Sequence, residues 1–213
     1  RFELFIEMPL IILQKDIKMY DEKIKQILEL YKIKGFVLSN VSDYFLIEKY
    51  KEKYEFIGNY TLNIFNVNAC NVIKNIGIDV ITPSIELSNI ERIKLIEKCN
   101  IKCEEIVYGD IPLINMKYCI KDNKTICNKE NNKCYSIIDI NNLKEYKCEM
   151  GTNPILSKIY GSKKISIEKH AKESSARIFI HNENIKEIND IIENIYTGKC
   201  FFGSNYKNDI IVK

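Results

Sequence analysis

The apolar positions along the chain fall into short continuous runs that alternate with stretches of helical period. Phe2 to Leu13 is apolar and strand-like. It leads into Asp21 to Lys34, where Ile24, Ile27, Leu28 and Tyr31 share one helical face and Gly35 supplies the stop. Phe36, Val37 and Leu38 predict a short buried strand, followed by a helical stretch from Asp43 to Lys53. Tyr54 to Ile57 leads into a third helical stretch, Thr61 to Ile76, closed by Gly77. Asp79 to Thr82 predicts the next strand, and Ser88 with Glu91 forms a capping box for a helix running to about Cys99. Glu104 to Tyr108 is a further strand, ended by Gly109. Short apolar strands alternating with amphipathic helices predict an α/β protein with a parallel sheet covered by helices. Periodicity alone does not separate a doubly wound sheet from a barrel.

After Gly109 the pattern breaks. Residues 115–164 are polar, cysteine-bearing and weakly periodic, with β-like segments at Tyr135 to Ile140 and Pro154 to Ile159. A last unit then returns, with a strand at Ala176 to Ile180 and a helix at Glu183 to Tyr196. Its stripe is Ile185, Ile188, Ile191, Ile192 and Ile195, and Gly198 stops it. The expected organisation is therefore β/α units over 1–114, a cysteine-rich insertion over 115–164, and a final β/α unit with a tail over 165–213. An excursion of this length between repeat units points to function rather than connection. About six strand–helix units are counted, whereas a full eightfold barrel takes about 250 residues. Part of a barrel is therefore expected to be missing, and the start at Arg1 rather than Met reads as a fragment. Unpaired sheet edges would favour dimerisation or a partner subunit.

Composition changes this picture little. The charged fraction is 29% and the hydrophobic fraction 46%, those of an ordinary globular chain. Thirty-two basic against 29 acidic groups give a net charge of +3, which makes no electrostatic case for nucleic acid while leaving room for a locally basic groove. No apolar run approaches the roughly 18–20 residues of a membrane helix, and no leader pattern opens the chain. A cytoplasmic protein without membrane partners is the expectation.

The eight cysteines add chemistry. Cys70, Cys99, Cys103 and Cys200 sit in or beside regular elements and read as small buried hydrophobes. Cys119, Cys127, Cys134 and Cys148 instead crowd into the insertion with the spacing C-x7-C-x6-C-x13-C. Disulfides suit a secreted chain, which nothing here indicates. Zinc usually shows two close C-x2–4-C knuckles, absent here. An iron–sulfur cluster takes four thiolates at wide spacing. Spacing alone leaves iron–sulfur, zinc and no metal open.

Several segments resemble one family, the U-32 collagenase-like peptidases. Gly35-Phe36-Val37-Leu38-Ser39-Asn40 followed by Asp43 is similar to its "SN-x-x-D" strand end. Gly58 through Asn66, with Leu62-Asn63-Ile64-Phe65-Asn66, is similar to its "G-D-Y-x-L-N-I-F-N" stretch. Thr82 to Leu87 resembles its "S-x-E-L" segment, with Glu86 as the acid. Tyr108-Gly109 and Pro112-Leu113 lead to Tyr118-Cys119 much as the family approaches its first cysteine, and Arg177-Ile178-Phe179 with Glu183 resembles its last unit. The chain departs from the family at Ile120, where proline often follows the first cysteine. The resemblance implies a TIM-barrel-like β/α fold, in part, with its site at the carboxyl ends of the strands. It also implies a 4Fe–4S cluster on Cys119, Cys127, Cys134 and Cys148, with zinc as the alternative metal.

No H-E-x-x-H and no G-x-S-x-G occurs, and His170 and His181 are the two histidines. His170 lies in a polar run and reads as an exposed loop residue; His181 follows the last predicted strand. Neither is assigned a catalytic role. Asn40, Asn63, Glu86 and Tyr108 lie at or just after strand ends and are the candidate substrate-binding residues; capping and turn roles are the competing explanation for such positions. The resemblance implies oxygen-independent hydroxylation of RNA bases (tRNA or rRNA), with a quinone precursor as a related substrate. Peptide hydrolysis is the alternative, and a non-catalytic iron–sulfur subunit or scaffold the third reading.

Overall fold

A computed structural model describes residues 2–116, 135–141, 143–150, 157–161, 164–167, 171, 173–181 and 183–197. By its internal contacts the chain divides into two units, Arg1–Glu105 with Lys169–Ala176, and Ile106–Glu168 with Arg177–Lys213.

In the first unit, strands β1 (Phe5–Glu7), β2 (Gly35–Leu38), β3 (Glu55–Gly58), β4 (Val80–Ile81) and the start of β5 (Lys102–Gly109) pair in parallel. The register runs Ile6 to Phe36 to Phe56 on one line and Ile81 to Cys103 further along. Strand order follows chain order, β1-β2-β3-β4-β5, without reversal. A doubly wound sheet reverses its order at a switch point. A sheet that steps in one direction is what consecutive units of a β/α barrel produce, so the unit is a mixed α/β structure consistent with part of such a barrel.

The helices form where the sequence gives them a cap and a stripe. α1 (Ile17–Leu30) buries Ile24, with Ile27 and Leu28 packed beside it. Asn40 and Asp43 form a capping box that opens α2 (Val41–Ile47). The Asn66 side chain accepts from the Ala69 N–H and opens α3 (Val67–Asn75). The capping box expected at Ser88 and Glu91 opens α4 (Asn89–Lys98). Strand side chains alternate between faces. Phe36, Leu38, Phe56 and Ile81 join the core with Ile24, Ile47, Ile73 and Leu95, whereas Val37, Ile57 and Val80 cluster with Phe5. The sheet is thus apolar on both faces, which explains why its strands read as continuous apolar runs.

In the second unit, the end of β5 pairs antiparallel with β10 (Ile165–Ser166). Strands β6 (Pro112–Met116), β7 (Tyr135–Ile138), β8 (Glu145–Met150) and β9 (Ser157–Tyr160) form a separate antiparallel sheet in the order β6-β9-β8-β7. Strand β11 (Ser174–Ile178) pairs with β5, and α5 (Ile185–Thr197) follows. The weakly periodic insertion therefore supplies three strands and the end of a fourth, β6, where its sequence showed only two β-like segments. Its alternation is faint because neither strand face is cleanly polar: Ile114, Ile137 and Ile138 are exposed. Among the described residues, no helix is long and apolar enough to cross a membrane.

Candidate functional site

Each parallel strand of the first unit hands on to a polar residue at its carboxyl end. Glu7 ends β1, Ser39 follows β2, Asn59 follows β3 and Thr82 follows β4. Asn59 is buried, and its Nδ2 donates to Glu7 Oε1 at 3.0 Å and to Ser39 Oγ at 3.3 Å. Its Oδ1 accepts from the Tyr60 N–H at 2.9 Å. The Thr61 hydroxyl donates to the Ser39 carbonyl at 2.6 Å, and the Thr82 hydroxyl to Glu104 Oε1 at 2.6 Å. This row of hydroxyl, amide and carboxylate groups crosses neighbouring strands at one level. Because each buried member is satisfied, the row holds its geometry without a ligand.

Three of the candidates named from sequence, Asn40, Asn63 and Glu86, belong to this same unit and are in different states. Asn40 is exposed, and its Oδ1 accepts from the Ser42 N–H and hydroxyl, both at 3.1 Å, so its side chain is engaged in capping. Asn63 takes a left-handed backbone conformation (φ 56°), which Asn tolerates better than most residues. Its Oδ1 accepts from the Ser84 hydroxyl at 2.9 Å. Glu86 is exposed, its N–H donates to Ser84 Oγ at 3.3 Å, and its carboxylate makes no hydrogen bond or ion pair among the described residues. Ser84, in the connection after β4, thus bridges Glu86 of its own turn to Asn63 of the connection after β3. At the start of α2, Asp43 accepts from the Ser39 and Asn40 N–H groups at 3.0 and 2.8 Å. Burial nevertheless pushes its carboxyl up to about 6, against those two donors.

Tyr108, the fourth candidate, belongs to the second unit, where its hydroxyl contacts Glu183 Oε1 at 3.2 Å and receives Lys164 Nζ at 3.1 Å. Lys164 also pairs directly with Glu183. Burial opposes ionisation of Glu183, but Lys164 and the His181 N–H outweigh it and hold the carboxyl down at about 2. Burial raises the Tyr108 phenol, Lys164 working the other way. His181 continues the chain of contacts. Its N–H donates to Glu183 Oε2 at 2.6 Å, and its Nε2 lies 3.1 Å from the Tyr160 hydroxyl, which donates to Glu149 at 2.5 Å. His170 lies outside the described residues.

Sequence reasoning missed Glu7, Ser39, Asn59, Thr82, Lys164 and Tyr160. For the first four a signal existed, since each is the first polar residue after an apolar strand run. Nothing local marked Lys164 or Tyr160, because their partners are far away in the chain.

Of the four clustered cysteines, Cys119, Cys127 and Cys134 lie outside the described residues, as does Cys200. Cys148 is on β8 and buried; burial raises its thiol, with a backbone bond from Ile137 opposing. Among the described residues no group of three or more His, Cys, Asp or Glu is placed to hold a metal. Strand register bears on the donor set. Tyr135, which follows Cys134 in the chain, sits directly opposite Cys148. Met116 at the end of β6 and Met150 at the end of β8 both pair with Ser157. The ends of β6 and β8 and the start of β7 therefore share one end of the sheet.

No family model and no curated protein matches the sequence. Among solved structures, the chain is similar to the U32 peptidase Mk0906, with a TM-score of 0.40 and 16% identity over 51% of this chain and 47% of that one. The chain thus spans about half the length of that protein. The fold described above stands on strand order, independently of this likeness.

Proposed function

We propose that this chain is an iron–sulfur protein acting in the oxygen-independent hydroxylation of RNA bases, with its cluster on Cys119, Cys127, Cys134 and Cys148. The observation that carries the reading is the shared end of the antiparallel sheet. The chain leaves this end at Met116 and re-enters it at Tyr135, opposite the buried Cys148. Cys119 is three positions beyond Met116, a reach of up to about 10 Å. Two strand spacings, also about 10 Å, separate β6 from β8. Four thiolates can therefore meet within the reach of the backbone, and the all-sulfur donor set suits iron–sulfur chemistry. When bound, such a cluster supplies single-electron redox chemistry.

In this reading the chain's own residues bind and orient the base. Glu86 offers its carboxylate to a base N–H, and Asn63, from the neighbouring connection after β3, is tied to the Glu86 turn through Ser84. Asn40 contributes chiefly by holding α2.

Anaerobic purification with iron and sulfide analysis tests the cluster. About four irons per chain, with visible absorbance lost in Cys148→Ala, is the expected result; zinc in place of iron, or no metal with unchanged variants, would refute it. RNA from a strain lacking the protein should lose a hydroxylated base by mass spectrometry, and a strain carrying Glu86→Gln should show a partial loss. An unchanged RNA profile would refute the substrate class while leaving the cluster standing.

A further inference from the structure

Three thiols outside the proposed cluster meet in the first unit, each from a different element. Cys70 is buried in α3, Cys99 caps the carboxyl end of α4 and is half-buried, and Cys103 is buried in β5. The Cys99 and Cys103 sulfurs are 3.2 Å apart, and Cys70 hydrogen-bonds Cys99. Both members of the closest pair also lean on one carbonyl: Cys99 Sγ lies 3.5 Å and Cys103 Sγ 3.4 Å from the Ile101 oxygen. The connection between them is only Asn100-Ile101-Lys102, and it turns so that the side chains face each other.

We propose that Cys99 and Cys103 form a reversible oxidation site, closing to an intramolecular disulfide when the protein meets hydrogen peroxide. A disulfide needs the sulfurs at about 2.05 Å, so they must approach by roughly 1 Å. Cys99 takes an extended conformation (ψ 145°) at the carboxyl cap of α4; its N–H bonds the Leu95 carbonyl at 2.9 Å, and a small rotation about its ψ moves only the residues after it and leaves that bond in place. Cys70 lies within α3 and has no such freedom. Exposure also orders the steps. Half-buried Cys99 is reached first: its sulfur attacks one peroxide oxygen, the O–O bond breaks, and Cys99 sulfenic acid and water result. The Cys103 sulfur then attacks the sulfenic sulfur. The S–S bond forms as the S–O bond breaks, and hydroxide leaves as water with the Cys103 proton. Two thiols lose two electrons in all, and one peroxide becomes two waters. Burial raises the Cys103 thiol and pushes that of Cys70 up to about 12, so neither is an efficient first nucleophile.

Trypsin cuts after Lys98 and Lys102, which places Cys99 and Cys103 on separate peptides. The folded, reduced chain is treated with hydrogen peroxide, alkylated without reductant and digested. A cross-linked pair of these two peptides should appear, both thiols should be lost to alkylation together, and a thiol reductant should restore them. Cys70→Ala should leave the cross-link in place, and Cys99→Ser should abolish it while Cys103 stays alkylatable. The inference fails if both thiols remain alkylatable, if Cys99 proceeds to sulfinic acid without pairing, or if Cys99 links to Cys70. The wild-type peptide map decides this without any variant having to fold.

Discussion

Arg92 on α4 and Glu105 on β5 form an ion pair with side chains only 1% and 0% exposed, Nε to Oε1 at 2.5 Å. The other carboxylate oxygen of Glu105 accepts from the Ala171 N–H at 2.7 Å and from the Ser174 hydroxyl. Replacing Arg92 by Met keeps an unbranched stem in the core and removes the charge. Glu105 is then a buried carboxylate that has lost the Arg92 guanidinium. Breaking a buried pair from one side costs about 3–5 kcal/mol. The Ala171 N–H and the Ser174 hydroxyl still stabilise the carboxylate, so the lower end, about 3 kcal/mol, is expected. At this chain length that is roughly 6–12 °C in Tm. Removing the second charge as well, in Arg92→Met with Glu105→Gln, leaves an amide oxygen that can still accept from Ala171. The double variant should therefore be about 1 kcal/mol more stable than Arg92→Met alone. Because the chain has two units, hydrogen exchange in peptides covering α4 and β5, read alongside urea denaturation, separates the opening of the first unit from the rest. A loss under about 1 kcal/mol for Arg92→Met, or a double variant less stable than Arg92→Met, would refute the reasoning.

Asp43 should make the first unit pH-sensitive. Its folded value, about 6, lies above the ordinary 3.8, so the protonated form favours the fold. That contribution is complete below 3.8 and is lost as pH rises through about 6; Asp43→Asn should flatten this part of the stability profile, and an unchanged slope would exclude Asp43 as its source. Glu183 has the opposite sign. Held at about 2 against an ordinary 4.5, it contributes stability above 4.5 that is lost as pH falls through about 2, and carboxyl NMR should show its midpoint rising in Lys164→Met. Gly35 should tolerate no side chain, since a methyl group there would lie 1.9 Å from the Glu55 carbonyl oxygen across the β2–β3 pairing. Gly35→Ala is expected to cost roughly 3 kcal/mol or to prevent folding, and a thermal midpoint within a few degrees of wild type would contradict that contact.

Much of the first unit was legible because its local signals and its burial agree. Ser88 and Glu91 predict the start of α4, and they cap it. Gly77, expected to close a helix, follows α3 with φ 98°. Helix and strand lengths were read less well. Phe2 to Leu13 reads as one strand, yet β1 is only Phe5–Glu7, since Pro9 breaks the ladder; Thr61 to Ile76 reads as one helix, but Asn63 in the left-handed region delays α3 to Val67. The buried ion pair was also written in the periodicity. Arg92 stands three and four positions before Leu95 and Ile96, all buried on one face of α4, and Glu105 alternates with Cys103 and Val107 along β5. Charged residues are read as solvent-facing by default, and only their position on an apolar face marks these two as exceptions.

The cysteines show where sequence reading ends and topology takes over. Spacing supplies four thiols but says nothing of where the chain carries them. The order β6-β9-β8-β7 puts the strands before and after residues 117–134 on opposite edges of one sheet. Three strand spacings, about 14 Å, must be bridged at the sheet end where Tyr135 faces Cys148. Had β6 and β7 been neighbours joined by a hairpin, the same residues would form a loop projecting away from β8. In the proposed cluster, the strands that flank the three-cysteine stretch lie on opposite edges of the sheet that carries the fourth cysteine, Cys148. If the proposed cluster depends on this span, shortening the stretch between Cys119 and Cys134 abolishes iron binding while all four cysteines remain. A shortened variant that still binds iron in full would show that the crossing is not what assembles the site.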